Sequence, residues 1–217
     1  MISMLKLLVL FLFFNSLTNG QINLSGSNLE EFCDYCDIYS TVLNLSYMNI
    51  GKCDETTFKG LNKLQLLFLH GNQLEYLNGS IFQDLSKLTY LNLNSNQLTW
   101  IDSAAFQGLN KLETLWIYNN KLASLEGNTF LGLKNLKDLN LSSNQLTSIK
   151  ANLFQDLKNL QKINLDNNRL ISIDKMSFNG LFSLENINVA QNPISILFPN
   201  ELDFMCDSNP KCLLILS

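Results

Sequence analysis

Few residues in this chain are equipped for chemistry. His70 is the only histidine, and a histidine base needs a nucleophile within reach. None of the five cysteines and no Gly-x-Ser-x-Gly context offers it one. Strand alternation brings Asp138 and Asp166 to a common surface, but four strand positions separate them there. That is about 13 Å at strand rise, wider than the carboxylate pairs of glycoside hydrolysis. Lys162 is the nearer neighbour of Asp138, which reads as a surface ion pair. A Walker loop, a dinucleotide fingerprint and an HExxH helix are all missing from the sequence. The expectation is a protein that is not an enzyme, with no catalytic residue and no cofactor.

The elements that would position these residues come from a repeat. Asparagine recurs at 72, 96, 120, 144, 168 and 192, and phenylalanine at 58, 82, 106, 130, 154 and 178, both at a period of 24. Around each asparagine the text reads L-x-x-L-x-L-x-x-N-x-L, as in Leu64, Leu67, Leu69, Asn72 and Leu74. The L-x-L stretch is a strand whose leucines point inward and whose middle residue points outward. Seven such strands, one per turn, must run parallel. The asparagine sits in the turn that follows, where its amide satisfies buried backbone groups that have no ladder partner. The return stretch ends in F-x-x-L, a spacing that predicts a short helical or 3-10 turn. Its phenylalanines stack as a core spine, and crowding of the strands bends the stack with the strands on the concave side.

Both ends depart from the period. Lys6 followed by the apolar run Leu7 to Phe14 predicts a secretory signal peptide at 1–20, the run being too short to span a bilayer. Its removal takes Lys6 away, leaving 14 basic against 19 acidic residues and moving the net charge from −4 to −5. With Arg169 the sole arginine, neither nucleic acid nor an anionic membrane is the expected partner. Residues 21–40 read as an N-terminal cap, 41–202 as the repeats, and 203–217 as a short C-terminal cap, since a repeat array must cover its two open ends. Leu213 to Leu216 is apolar but too short for a membrane span.

Cys33, Cys36 and Cys53 lie at one end, Cys206 and Cys212 at the other. In a secreted chain they are disulfide candidates. Cys53 is expected to pair with Cys36 or Cys33, and Cys206 with Cys212; the other reading of Cys53 is a buried thiol filling a leucine slot. Six strand steps of about 4.8 Å part the two groups by roughly 29 Å, so the five cysteines do not predict a metal site.

Strand register also sorts the outward residues. Asn44, Phe68, Asn92, Trp116, Asn140, Asn164 and Asn188 form the middle column of the sheet face. Aromatics gather in the first three full repeats as Phe68, Tyr90, Trp116 and Tyr118, beside Leu66 and His70. These six are the candidate ligand-binding patch, because exposed aromatic clusters mark interaction surfaces. Glycan acceptors of the Asn-x-Ser/Thr type occur at Asn23, Asn44, Asn78 and Asn140. By register, Asn44 and Asn140 face out of the sheet.

The repeats from residue 64 to 197 resemble the typical 24-residue class of extracellular leucine-rich repeats found in Toll-like receptor ectodomains, Slit proteins and lamprey variable lymphocyte receptors. The resemblance implies an α/β fold: a curved solenoid with a parallel β-sheet on the concave face and short helical or 3-10 turns on the convex face. It also implies recognition of a protein ligand through the concave face. The caps of those families usually carry four cysteines each, where this chain has three and two. Asn192-Pro193 is present, but no Cys-x-Cys follows it. The competing reading is a structural or accessory subunit of an extracellular complex, joined to its partner through a flank or the odd cysteine.

Overall fold

The computed structural model describes residues 21–29, 39–207, 209 and 211–216. The expected leader, Cys33 and Cys36 lie outside the described residues. In chain order the strands are β1 (Ile22–Leu24), β2 (Val42–Asn44), β3 (Ile50–Cys53), β4 (Leu66–Phe68), β5 (Tyr76–Leu77), β6 (Tyr90–Asn92) and β7 (Trp100–Ile101). They continue as β8 (Thr114–Trp116), β9 (Asp138–Asn140), β10 (Ser148–Ile149), β11 (Lys162–Asn164), β12 (Ser172–Ile173), β13 (Asn186–Asn188) and β14 (Leu213–Ile215).

Each L-x-L segment forms a strand because extended backbone is the conformation that sends both leucines to one side. Leu67, Leu91, Leu115, Leu139 and Ile187 are completely buried, and the strands pair in parallel with 24-residue register, Leu67 opposite Leu91 and Leu91 opposite Leu115. The main sheet runs β2-β4-β6-β8-β9-β11-β13-β14. It therefore has eight strands where the repeat pattern predicts seven. The eighth, β14, comes from the stretch read as C-terminal cap. Leu214 takes the inward place opposite Ile187, three residues later than the period would put it, which is why the motif does not mark it.

Three residues after each of β2, β4, β6, β8, β9, β11 and β13 the chain turns through a residue in the left-handed region. Tyr47, Gly71, Ser95, Asn119, Ser143, Asn167 and Gln191 all have φ between 51° and 69°. Only at 71 is that residue glycine, and a Cβ there would lie 2.4 Å from the Tyr47 ring. The reversal leaves backbone groups without ladder partners, and the asparagine column takes them. Asn72 donates to the carbonyls of Leu45 (2.8 Å) and Leu69 (2.9 Å) and accepts from the N–H groups of Met48 and Ile50 (both 3.0 Å). Asn96 donates to Leu69 and Leu93 and accepts from Leu74, and the arrangement continues to Asn192. All six are buried. Replacing one with alanine strands several such groups, at about 1–3 kcal/mol each.

Outside the sheet, the return stretches are mostly hydrogen-bonded turns. The described 3-10 helices are Pro199–Glu201, Asp203–Cys206 and Lys175–Phe178, the last capped by the Asp174 side chain, which accepts from the Met176 N–H. A short α-helix at Pro193–Leu197 begins on proline, whose fixed φ suits that position. Short parallel pairs β1-β3, β5-β7 and β10-β12 line the flank. The six phenylalanines stack as a spine with ring centroids 5.5 to 6.3 Å apart.

The cysteines behave differently at the two ends. Cys206 and Cys212 are bonded to each other. The expected pairing of Cys53 with Cys33 or Cys36 does not hold, because Cys53 is a free, buried thiol. It ends β3 in the inward slot opposite Leu24, the place that Leu77 and Ile101 fill in later repeats, so apolar packing and not bonding holds it.

Candidate functional site

Phe68, Tyr90 and Trp116 come from three adjacent strands of the main sheet, and Tyr118 lies two residues beyond the third. β4, β6 and β8 present the first three outward because Leu67, Leu91 and Leu115 take the inward places. Phe68 meets Tyr90 at 5.2 Å, Tyr90 meets Trp116 edge-on at 5.4 Å, and Trp116 meets Tyr118 at 6.2 Å between ring centroids. Such edge-on and tilted contacts suit the ring quadrupoles and fix the rings against one another. His70 joins at 6.2 Å from Phe68. Leu66 lies opposite Tyr90 in register. All six candidate residues are half-buried, and the structure brings them into one continuous strip.

Tyr47 extends the strip, and sequence reasoning passed over it. Its ring meets His70 edge-on at 5.1 Å, although three quarters of the residue is exposed. It occupies the left-handed turn position of the first repeat, outside the strand columns, so register alone does not find it. His70 Nδ1 is buried without a hydrogen-bond partner.

One member of the outward middle column is covered, together with the residue two places on. Asn92 and Asn94 are buried. Asn92 lies between Phe68 and Trp116 on the neighbouring strands, and its amide donates to the Tyr90 hydroxyl at 3.3 Å. Burial raises the Tyr90 hydroxyl pKa, and the Asn92 hydrogen bond opposes that shift. The aromatic rings therefore roof over the polar residues between them.

Beyond Trp116 the face turns polar. Asp138 lies opposite Thr114 on one side and Lys162 on the other. Partial burial raises its carboxyl pKa, while the Lys162 charge and a hydrogen bond from Trp116 pull it back. Asp166 has one carboxylate oxygen buried without a hydrogen-bond partner. Asn140, Asn164 and Asn188 each accept the N–H of the residue two places on, at 3.0 Å. Among the described residues, no group of three or more His, Cys, Asp or Glu could hold a metal ion. Nor is any described helix long and apolar enough to cross a membrane.

A second apolar surface lies near the C-terminal end. Ile171, Met176, Ile196, Leu197 and Phe198 are exposed there. A groove of about 550 Å³ runs between Ile171–Ile173 and Phe198–Phe204. The periodic pattern gives no sign of it, because it forms where the period breaks.

A family model described as leucine rich repeat matches residues 41–98, 72–121, 111–170 and 158–205. No curated protein matches significantly. Among the solved structures that match, a leucine-rich-repeat protein of Leptospira interrogans is 28% identical with a TM-score of 0.63. The match covers 76% of this chain and 43% of that one, so the chain spans less than half the length of that protein.

Proposed function

The chain belongs to the leucine-rich-repeat family, and from that premise we propose that it is a secreted recognition module binding a protein ligand through its concave sheet face. Repeats of this family generally serve as non-catalytic scaffolds for protein–protein interaction. One observation carries the reading: the unbroken run of ring contacts from Tyr47 through His70, Phe68, Tyr90 and Trp116 to Tyr118. Half-buried aromatics held in tilted and edge-on contacts keep part of their surface open to a partner, and such residues dominate binding energy at interfaces. Their mutual contacts hold the rings in place before a ligand arrives, which lowers the entropy lost on binding.

Capture of partners from extracellular fluid with the tagged, secreted chain tests this. A Trp116→Ala, Tyr118→Ala double variant must lose the partner that the wild type retains. Full retention assigns the ligand to another surface.

The accessory-subunit reading has its own support in the exposed Ile196, Leu197 and Phe198 beside the C-terminal groove. Under that reading a Phe198→Asp variant releases the partner and the double variant keeps it, so one pull-down separates the two.

A further inference from the structure

We propose that Asn44 and Asn140 carry N-linked glycans that fence the aromatic strip into a slot, so that only a single protruding segment of a protein partner can enter it. This rests on the secreted reading above. Its physical basis is a division of labour among asparagines.

The turn asparagines use both amide atoms. Asn96 Nδ2 donates to Leu69 and Leu93 while Oδ1 accepts from Leu74. A sugar on that nitrogen would break the turn, and none of the six has Ser or Thr two residues on. The sheet-face asparagines use the oxygen instead. At Asn44, Asn92, Asn140, Asn164 and Asn188, Oδ1 accepts the N–H two residues later, at 3.0 or 3.1 Å. Asn92 also commits its nitrogen, to Tyr90. At Asn44 and Asn140 the nitrogen donates to nothing in the described structure.

Those two are also the only members of the column with a serine two residues on. Ser46 and Ser142 donate their hydroxyls to the same Oδ1, at 2.6 and 2.7 Å. Glycosylation replaces one Nδ2–H bond with a bond to the anomeric carbon of the sugar. That carbon leaves the diphosphate of a lipid-linked oligosaccharide donor as its C–O bond breaks, and the amide proton is released. The Oδ1 contacts survive the change.

Placement gives the consequence. Asn44 stands opposite Phe68, on the first aromatic strand. Asn140 stands opposite Trp116, on the last. Four strand spacings, about 19 Å, separate the two. A glycan is bulky and hydrated, so one on each side leaves the strip open along the strand direction and closed across it. A single helix, about 10–12 Å across with its side chains, or one extended segment fits between them. A flat interface of about 800 Å² on each partner does not.

The test uses the full chain recovered from the medium of eukaryotic cells. Enzymatic release of N-glycans in oxygen-18 water marks each formerly modified asparagine as a labelled aspartate in peptide mass spectra. Both Asn44 and Asn140 are expected to be marked, and Ser46→Ala and Ser142→Ala to remove one glycan each. A secreted chain bare at either site overturns the proposal and leaves the recognition reading intact. A chain retained in the cells without sugar overturns secretion along with it. In a Trp100→Phe background, acrylamide should quench Trp116 before and after sugar release, whereas a quencher attached to a globular protein should do so only after. Equal quenching by the protein-bound quencher in both states would falsify the fence.

Discussion

The aromatic stretch of the sheet, β4 to β8, and the polar stretch, β9 to β13, have the same interior. Leu67, Leu91 and Leu115 on one side and Leu139, Ile163 and Ile187 on the other are all buried. Asn96 and Asn144, two repeats apart, make the same set of turn hydrogen bonds. Only the outward residues differ: Phe68, Tyr90 and Trp116 against Asp138, Lys162 and Asn186. A solenoid whose core is complete without them has no structural need for exposed rings. On the proposed reading, the difference means that the aromatics answer to a partner outside the chain. Their partial burial comes from one another.

Breaking the shared interior should cost both stretches alike. Phe106→Ala and Phe154→Ala each remove a fully buried ring from the spine, a loss of about 3–5 kcal/mol. Urea unfolding should show two similar destabilisations. A difference of more than about half that cost would mean the two stretches do not share one core.

The outward difference should appear in binding. Trp116→Ala with Tyr118→Ala is expected to weaken affinity by at least about 30-fold, the equivalent of one hot spot of about 2 kcal/mol, with little change in the unfolding midpoint. Lys162→Ala with Asn186→Ala, a double change on the outward face of the polar stretch, should leave affinity within about threefold, as expected for positions outside a hot spot. Equal losses from the two doubles, measured by calorimetry against the captured partner, would erase the functional distinction.

Cys53 sharpens the comparison from the inward side, where even a reactive residue type should act as scaffold. Burial, with the neighbouring Asp54 charge adding to it, pushes its thiol up to about 12, so at neutral pH it stays protonated and unreactive. Iodoacetamide should leave the Cys53 peptide unlabelled in the native protein and label it after unfolding in denaturant. Rapid native labelling would place the thiol outside the core slot.

The inward half of this molecule was legible in the sequence because burial imposes periodicity. The Phe58 to Phe178 spine, the asparagine column and the parallel register all follow from the 24-residue repeat. Cys53 is the instructive miss, since secretion argues for a disulfide while position argues for a leucine slot, and position prevailed. The strand at Leu213–Ile215 escaped because the chain reaches it three residues out of phase. On the face, register alone picked out Leu66, Phe68, His70, Tyr90, Trp116 and Tyr118. The contacts among the rings depend on side-chain rotamers that register does not specify. The buried Asn92 was hidden for that reason, Tyr47 because it sits in a turn outside the strand columns, and the groove at Phe198 because it lies where the repeat ends.

The smallest effect is expected at the boundary between the two stretches, where Asp138 touches both. Burial raises its carboxyl pKa above the usual aspartate range in the folded protein, against the pull of Lys162 and Trp116. The folded state therefore holds the proton more tightly than the unfolded chain. Its contribution to stability is fully present below the unfolded pKa and is lost as pH rises through the folded value. At neutral pH the ionised Asp138 is a mild liability to folding, screened because the site is half open to water. Asp138→Asn removes that liability and keeps the shape. The variant should match the wild type in unfolding midpoint at acidic pH and exceed it slightly at pH 7, the gap opening just above the ordinary aspartate range. A gap that closes with rising pH would mean that Lys162 and Trp116 outweigh burial, making Asp138 a stabilising partner of the aromatic strip.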